Sequence, residues 1–528
     1  VGSEMCIRDR PALYPGSRYG YRYPIGTMEV VDNFKPAELR AYYEKWYRPD
    51  LQGIIVVGDI DADQVVEKIK ALFSPIAMPE NAAAYEHYPV PDTPEAIYII
   101  DKDKEQNRAI MQVMFKHAPA VPDELKNTAA YLAVNYATSM ATSMFNARLS
   151  ELSQKPDCPF IGAFASDDDY IMSKTMQALG IVILPKPGKD AEALQAVMLE
   201  VERAARHGFT GTELIRAREE FLSKMETVYN NREKQKNDFY VPQYVRHFLE
   251  GDPIPDIETE YNTYKMLAPN LPIEAVSALF KKYTASVDSN FVFLAMYPEK
   301  DDVVIPAAET LKQAVKAARG AEVEAYVDNV KSEPLVPQLP KPGKIKKEKE
   351  AAFGYTCWTL ANGARVFFKK TDFNDSEILF KATSFGGQSL TKKEARVNVS
   401  LFNDAINSTG LGAFTVTELE KKLAGKQASV SVQLGETTEN LSGKSTPKDL
   451  RTLFELVYLH FQEPANDTDG YNNFMNYLST QLENAGKQPM TAFSDSLQAT
   501  VFGHNPLKKR LVSEDLKQAD YEAIRKLY

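Results

Sequence analysis

Residues 24–73 constrain the chain most, because they read as the closing half of a domain. Residues 35–47 predict an amphipathic helix. Pro36 sits in its first turn, and Leu39, Tyr42, Tyr43, Trp46 and Tyr47 recur at helical spacing. Tyr47-Arg48-Pro49-Asp50 breaks it. Residues 53–58 follow as a short continuous apolar run, which predicts a strand buried between neighbours. Residues 61–73 predict a second helix, with Val65, Val66, Ile69, Leu72 and Phe73 on one face. One strand and two helices cannot close a core. The segment is therefore expected to pack on chain upstream of residue 1, and the chemistry is expected there as well.

The rest of the composition sets wide bounds. A length of 528 residues suggests about three or four domains. With 44% hydrophobic and 25% charged residues, the chain is ordinary globular protein. The net charge of -10 argues against a nucleic-acid or anionic-membrane partner. No apolar run approaches the roughly 18 residues of a membrane span. The first ten residues, VGSEMCIRDR, read as an assembly artefact and are set aside, so the true N-terminus with any export signal is expected elsewhere. Cys6, Cys158 and Cys357 have no zinc-like spacing and are expected to be structural or free thiols.

Residues 74–94 read as a proline-bearing linker. Residues 95–328 read as one αβ domain, with strands at 96–100 and 109–115, helices at 122–154, 190–207 and 212–229, and a closing strand at 291–296. Residues 329–352 are the clearest boundary: Pro334, Pro337, Pro340 and Pro342 alternate with polar residues, then 344–350 is almost all charge. This predicts a semi-rigid tether between two halves. Residues 353–528 open a third αβ domain. A hairpin at 358–369 has Asn362-Gly363 suited to a two-residue type I′ turn. Strands at 377–383 and 428–434 and helices at 448–461 and 471–482 follow, and the chain stops inside another helix without a closing strand.

That last helix echoes the first. Residues 34–43 can be laid on 519–528 without a gap, matching Leu39 with Ile524, Arg40 with Arg525 and Tyr43 with Tyr528. Upstream, Pro15-Gly16-Ser17-Arg18-Tyr19 falls roughly where Gly503-His504-Asn505-Pro506 would. A chance match of two amphipathic helices is the alternative. Equal repeat units would place about 150 further residues before the first copy.

Pro24-Ile25-Gly26-Thr27-Met28-Glu29, the Tyr-Arg-Pro-Asp break and Val56-Val57-Gly58-Asp59-Ile60-Asp61 together resemble the pitrilysin/insulinase family of zinc metallopeptidases. Leu360-Ala361-Asn362-Gly363 with Ser384-Phe385-Gly386-Gly387 resembles the start of that family's second half. Met144-Phe145-Asn146-Ala147-Arg148-Leu149 with Pro159-Phe160 resembles its second domain. The resemblance implies an α+β fold of repeated two-layer αβ sandwich domains of the pitrilysin/mitochondrial-processing-peptidase type, in two halves joined by a linker that close over a peptide. It makes residues 11–73 the C-terminal remnant of the first domain and leaves the third domain, 353–528, incomplete at its C-terminus.

The family's inverted His-x-x-Glu-His helix and distal Glu bind zinc, with the Glu between the histidines as general base. The resemblance places them upstream of residue 11, so no catalytic or metal residue is expected in this chain. The histidines are His87, His117, His207, His247, His460 and His504, and no pair has ligand spacing. The near miss is His247-Phe248-Leu249-Glu250, followed by Gly251 where a second His is needed; it reads as a helix-end His. Residues 395–406, the counterpart of the motif helix in the second half, hold no His and only Asp404. The counterpart of the distal-Glu helix, residues 471–483, offers Glu483. Gly386-Gly387 could let a substrate backbone approach, but reads more simply as a strand-to-helix turn. Asp167-Asp168-Asp169 could attract a metal, but reads as a solvated loop.

The resulting expectation is a fragment of a zinc endopeptidase that cleaves oligopeptides or unfolded polypeptides in a clam-shell chamber. Zinc belongs to the full-length parent and none to this chain, which is expected to be inactive. Peptides are the implied partners, with no nucleic acid and no membrane span, and a periplasmic or secreted location is implied by resemblance. A non-catalytic scaffold or partner subunit of the same fold, or a peptide-binding module using β-augmentation, are the alternatives. Exposed apolar surface and an open sheet edge are expected to make the chain poorly soluble.

Overall fold

The structure is a computed structural model that describes residues 9–22, 26–462, 464–486 and 488–528. Cys6, Pro24 and Ile25 lie outside the described residues. The chain divides into two compact units. The first takes Val1–Arg218, Lys236–Asp328 and Met475–His504; the second takes Glu219–Gln235, Asn329–Phe474 and Asn505–Tyr528.

In the first unit, α1 (Met28–Asn33), α2 (Pro36–Trp46) and α3 (Ala62–Phe73) precede any sheet. Pro36 opens α2, and the Asp61 carboxylate caps α3 by accepting from the Gln64 N–H at 3.1 Å. The strand expected at 53–58 does not form. This stretch has no ladder partner among the described residues, and Ile54 and Val56 are 44% and 49% exposed. A strand needs a neighbour to take up its backbone groups, and none lies beside it.

The predicted alternating runs become β1 (Ile97–Asp103), β2 (Ile110–His117) and β5 (Phe291–Pro298). With β3 (Phe160–Asp169) and β4 (Gln177–Pro185) they form a five-stranded sheet of order β1-β5-β2-β4-β3. β1 runs parallel to β5, and the other pairs are antiparallel. Alternate residues of this sheet, Met111, Val113, Phe115, Ile181, Ile183, Phe291 and Phe293, are fully buried. Helices α4 (Ala129–Ser153), α5 (Asp190–His207), α9 (Ile273–Tyr283) and α10 (Ala308–Gly320) form the second layer. The other helices here are the first part of α6 (Gly211–Asn230), which enters the second unit at Glu219, α7 (Asn237–Glu250) and α8 (Ile257–Leu267). Helix α4 starts later than the expected 122, because Pro122 leads a single 3-10 turn at Asp123–Leu125 first.

Leu13 and Tyr14 pack with Val90, Met114, Tyr170 and Val292 against this sheet. The Tyr14 hydroxyl donates to Tyr170 O at 3.0 Å, and the Tyr170 hydroxyl donates to Leu13 O at 2.8 Å. The first part of residues 11–73 thus contributes to the core built on this sheet. Asp9 and Arg10, read from sequence as part of the foreign stretch, are buried as well.

In the second unit, residues read as a charged tether form a strand. β6 (Ile345–Glu350) pairs with β7 (Thr356–Leu360), which pairs with β8 (Arg365–Phe368). β6 is exposed along its whole length, and its lysines and glutamates suit a sheet edge. The β7–β8 turn is not type I′. Gly363 has φ +89°, Asn362 does not have positive φ, and the Gly363 N–H donates to Leu360 O at 3.0 Å. This is the longer loop that ends on a left-handed glycine.

The second sheet has order β10-β11-β9, from β9 (Ile378–Phe385), β10 (Ala428–Leu434) and β11 (Thr438–Ser445). Its helices are α11 (Arg396–Asn407), α12 (Val416–Leu423), α13 (Leu450–His460), the start of α14 (Thr468–Ala485) and α16 (Tyr521–Leu527); the rest of α14, from Met475, and α15 (Pro489–Val501) belong to the first unit. β9-α11-β10-β11-α13 repeats the path of β2-α4-β3-β4-α5, with all strand pairs antiparallel in both. The fold is thus α+β, built from repeated two-layer αβ units.

Candidate functional site

One residue pair marks the same point in both repeats. On α4, the Asn146 amide donates to Ala165 O at 2.8 Å and accepts from the Ala165 N–H at 2.7 Å. On α11, Asn403 accepts from the Leu434 N–H at 2.6 Å and donates to its O at 3.4 Å. Asn407 does the same for Val432, at 2.9 Å each way. β3 and β10 are the outer strands of their sheets. The asparagines thus satisfy edge backbone groups that an added strand would otherwise take. Phe145 and Phe402, one residue earlier, are both buried. This repeat of residues 110–207 in 378–460 is distinct from the match of residues 34–43 with 519–528.

α11 is the helix that sequence reasoning set against the zinc motif. Its Asn403 and Asn407 side chains are committed to the β10 backbone, Asn398 accepts from the Asp520 N–H at 2.9 Å, and Asp404 is the one carboxylate on the helix. Glu483 lies on α14 and its carboxylate accepts from Ser479 at 3.4 Å. His247 ends α7 with Nδ1 2.7 Å from Asp252 O, while the Glu250 carboxylate pairs with Lys174 at 2.7 Å. Gly251 closes that helix in a left-handed turn. Among the described residues no three His, Cys, Asp or Glu gather as a metal site.

Gly386-Gly387 is a turn folded tightly on its own chain. A Cβ on Gly387 would lie 2.5 Å from Gly435 O, and φ is +66°. Asp167–Asp169 is not a solvated loop but the end of β3. Asp167 is 2.7 Å from His117 Nε2, and Asp169 pairs with Lys174 at 2.9 Å. Cys158 and Cys357 are free and buried, and burial raises the Cys158 thiol pKa.

Sequence reasoning missed the role of Arg148. Its guanidinium meets Glu213 at 2.7 Å and Glu200 at 3.2 Å, and lies 4.3 Å from the Tyr326 ring centroid. Arg148 is 1% exposed. Burial raises the Glu200 carboxyl pKa, partly offset by Arg148 and Arg203. The arginine inside Met144–Leu149 was the available signal, because an arginine on an otherwise buried helical face requires partners.

The opening segment holds uncovered apolar side chains with an internal reference. α2 and α9 each have 11 residues, and seven residues (47–53 and 284–290) separate each from its apolar run. In this register Leu39 matches Val276 and Tyr43 matches Phe280; in α16 the counterparts are Ile524 and Tyr528. Val276 and Ile524 are 0% exposed, and Phe280 is 1% exposed. Leu39 and Tyr43 are 60% and 58% exposed. In the docked copy, β5 enters the sheet between β1 and β2; in the first copy Ile54 and Val56 stay outside any sheet. The same module therefore occurs docked and undocked.

Residues 33–221 match the family described as Peptidase M16 inactive domain. The chain is 24% identical over 96% of its length to "Zinc protease PQQL-like" of Arabidopsis thaliana, of which it covers 47%. The crystal structure of the periplasmic protease PqqL from Escherichia coli matches 97% of this chain and 56% of that one, at 21% identity and TM-score 0.53. The ferredoxin protease FusC E83A mutant in complex with Arabidopsis ferredoxin matches 99% of this chain and 57% of that one, at 19% identity and TM-score 0.62. Pitrilysin matches 99% and 55%, at 13% identity and TM-score 0.55. The chain spans about half the length of the curated relatives it matches.

Proposed function

The chain belongs to the pitrilysin/insulinase family of zinc metallopeptidases, and from that premise we propose that it is the chamber-building part of a zinc endopeptidase acting on oligopeptides or unfolded polypeptides. In this reading the zinc-binding helix lies in chain preceding Pro11, and residues 36–57 close the domain that carries it. Residues 95–328 are the second domain, joined by Leu13 and Tyr14. Residues 329–352 link the halves, and 353–528 form the third domain. A periplasmic location goes with the reading, because a PqqL of similar fold is a periplasmic protease.

The observation that carries this proposal is the undocked module. Leu39, Tyr43, Ile54 and Val56 are exposed at positions whose counterparts Val276, Phe280, Phe291 and Phe293 are buried by a sheet and two helices. A face of that pattern has the composition of a core, and what it fits is a strand pair backed by a helix. The relatives' greater length leaves room for such a unit. The test is expression of the protein with the sequence encoded upstream of Pro11. Chelator-sensitive cleavage of a fluorogenic oligopeptide supports the proposal. An upstream sequence of about 150 residues without His-x-x-Glu-His sinks it.

A second reading, a non-catalytic partner subunit of the same fold, is favoured by the match of residues 33–221 to a domain described as inactive. The same protein separates the two: zinc-free and inactive with the fold intact supports the partner subunit.

A further inference from the structure

The strands of the second unit fall into two sheets, although their counterparts in the first unit share one. In the first unit β5 lies between β1 and β2, parallel to β1 and antiparallel to β2. The second unit repeats this path. β8 precedes β9 as β1 precedes β2, and α11 follows β9 as α4 follows β2. α16 packs on α11 as α9 packs on α4. Tyr528, which follows α16, stacks on Phe402 with ring centroids 6.0 Å apart, where Phe280 of α9 meets Phe145 at 4.9 Å. No described residue supplies the counterpart of β5. β8 and β9 therefore stay in separate sheets, β6-β7-β8 and β10-β11-β9, and each ends its sheet.

Both edges present unpaired backbone. The Gly386 N–H donates to Thr437 O at 2.9 Å, so by the alternation of an antiparallel ladder the N–H and C=O groups of Leu379, Lys381 and Thr383 point away from β11. No described group bonds them. The Leu360 N–H donates to Ala364 O at 2.8 Å, so the backbone of Arg365 and Phe367 points away from β7 in the same way. β9 runs against β11 without a bulge and holds no proline. On the far side of the same sheet, Asn403 and Asn407 occupy the β10 backbone. One edge is closed by side chains and the other is left open.

We propose that the gap between β8 and β9 takes residues 53–58 of a second copy of this chain, as a strand parallel to β8 and antiparallel to β9. The internal repeat names the occupant. Ile54 and Val56 hold the positions of Phe291 and Phe293 in β5, and residues 53–58 have no ladder partner among the described residues of their own chain. Each copy thus carries a vacant place for β5 and an unpaired version of β5. Gly-Ile-Ile-Val-Val-Gly is uncharged and β-branched, which suits a strand with a neighbour on each side. Donor and acceptor are different surfaces, so copies join either reciprocally in a pair or head to tail. The proposal rests on the repeat and is independent of the peptidase reading.

Sedimentation of the 528-residue chain over a concentration series tests it. The expected mass is at least twice the 59.2 kDa of one chain, falling to that value on dilution. Val56→Pro disables the donor strand. Lys381→Pro disables the acceptor edge at an N–H that points away from β11. Each variant alone is expected to sediment as a single chain. Mixed one to one, they are expected to give a species of twice that mass, because each supplies the surface the other lacks. A synthetic peptide of residues 50–60 is expected to dissociate the unsubstituted chain. Circular dichroism melts check that both variants fold. Association that survives in either variant, or a mixture of folded variants that stays at the mass of one chain, overturns the proposal. A monomeric unsubstituted chain overturns it too, and a lower melting temperature of Val56→Pro in that case assigns the gap to the chain's own residues 53–58.

Discussion

Leu39 and Val276 hold the same position in two copies of one helix-and-strand module, yet Val276 is fully buried and Leu39 is 60% exposed. The sequence of each copy is suited to burial, so the difference lies in what surrounds them. β5 and α9 have a sheet and two helices to receive them; residues 36–57 join no sheet among the described residues, and the Phe248 ring of α7 lies against Gly53.

Matched substitutions read this difference directly. Phe280 sits 4.9 Å from the Phe145 ring and 5.4 Å from the Phe209 ring, so Phe280→Ala is expected to destabilise the first unit by about 3–5 kcal/mol. Tyr43→Ala, at the equivalent exposed position, is expected to change stability by no more than about 0.5 kcal/mol. Urea unfolding of both variants checks the pair.

The buried ion cluster behaves differently from a surface pair. Glu213→Gln leaves Arg148 short of a charge while 1% exposed, and is expected to cost about 3–5 kcal/mol. Lys70→Gln, which loses an exposed pairing with Glu67, is expected to cost under about 1 kcal/mol. Denaturant melts at one salt concentration compare them.

His460 makes the second unit sensitive to acid. Its pKa is about 4 when folded, below the ordinary value of 6.5, so the unfolded chain binds the extra proton between those values. Stability is fully present above about pH 6.5 and falls towards pH 4, by about 3 kcal/mol at most. His460→Leu is expected to remove that dependence. Calorimetric scans at pH 7 and pH 4.5 measure it.

Edge protection by asparagine has its own signature. Asn403→Ala leaves the Leu434 N–H without its side-chain acceptor, while Gln388 still donates to the C=O at 3.3 Å, and is expected to cost about 1–3 kcal/mol. Hydrogen exchange at Leu434 should accelerate, while Leu441 on the central strand β11 stays protected.

Much of the fold was legible because periodicity reports burial. Helix α5 falls where residues 190–207 predict it, and β10 falls where strict alternation over 428–434 predicts it. β3, β4 and β11 were missed: Asp167–Asp169 and Ser442-Gly443-Lys444 look like loop, and only pairing with neighbouring strands makes them ladder. The 53–58 run failed for the opposite reason, because its local pattern is that of a strand but no described neighbour exists to pair with it. The near-miss histidine was correctly read as a helix end from Gly251. The Asn146 and Asn403 clamps lay inside motifs noted for resemblance, but their function depends on a strand edge brought up by the fold.

The most direct test of the account is zinc content. The protein carrying the sequence encoded upstream of Pro11 and the 528-residue chain are purified without added metal, and zinc per chain is measured by mass spectrometry. The account predicts one zinc per chain in the longer protein, lost with activity on chelation, and none held by the 528-residue chain. Stoichiometric zinc on the 528-residue chain, or a longer protein that cleaves peptides without zinc, contradicts it.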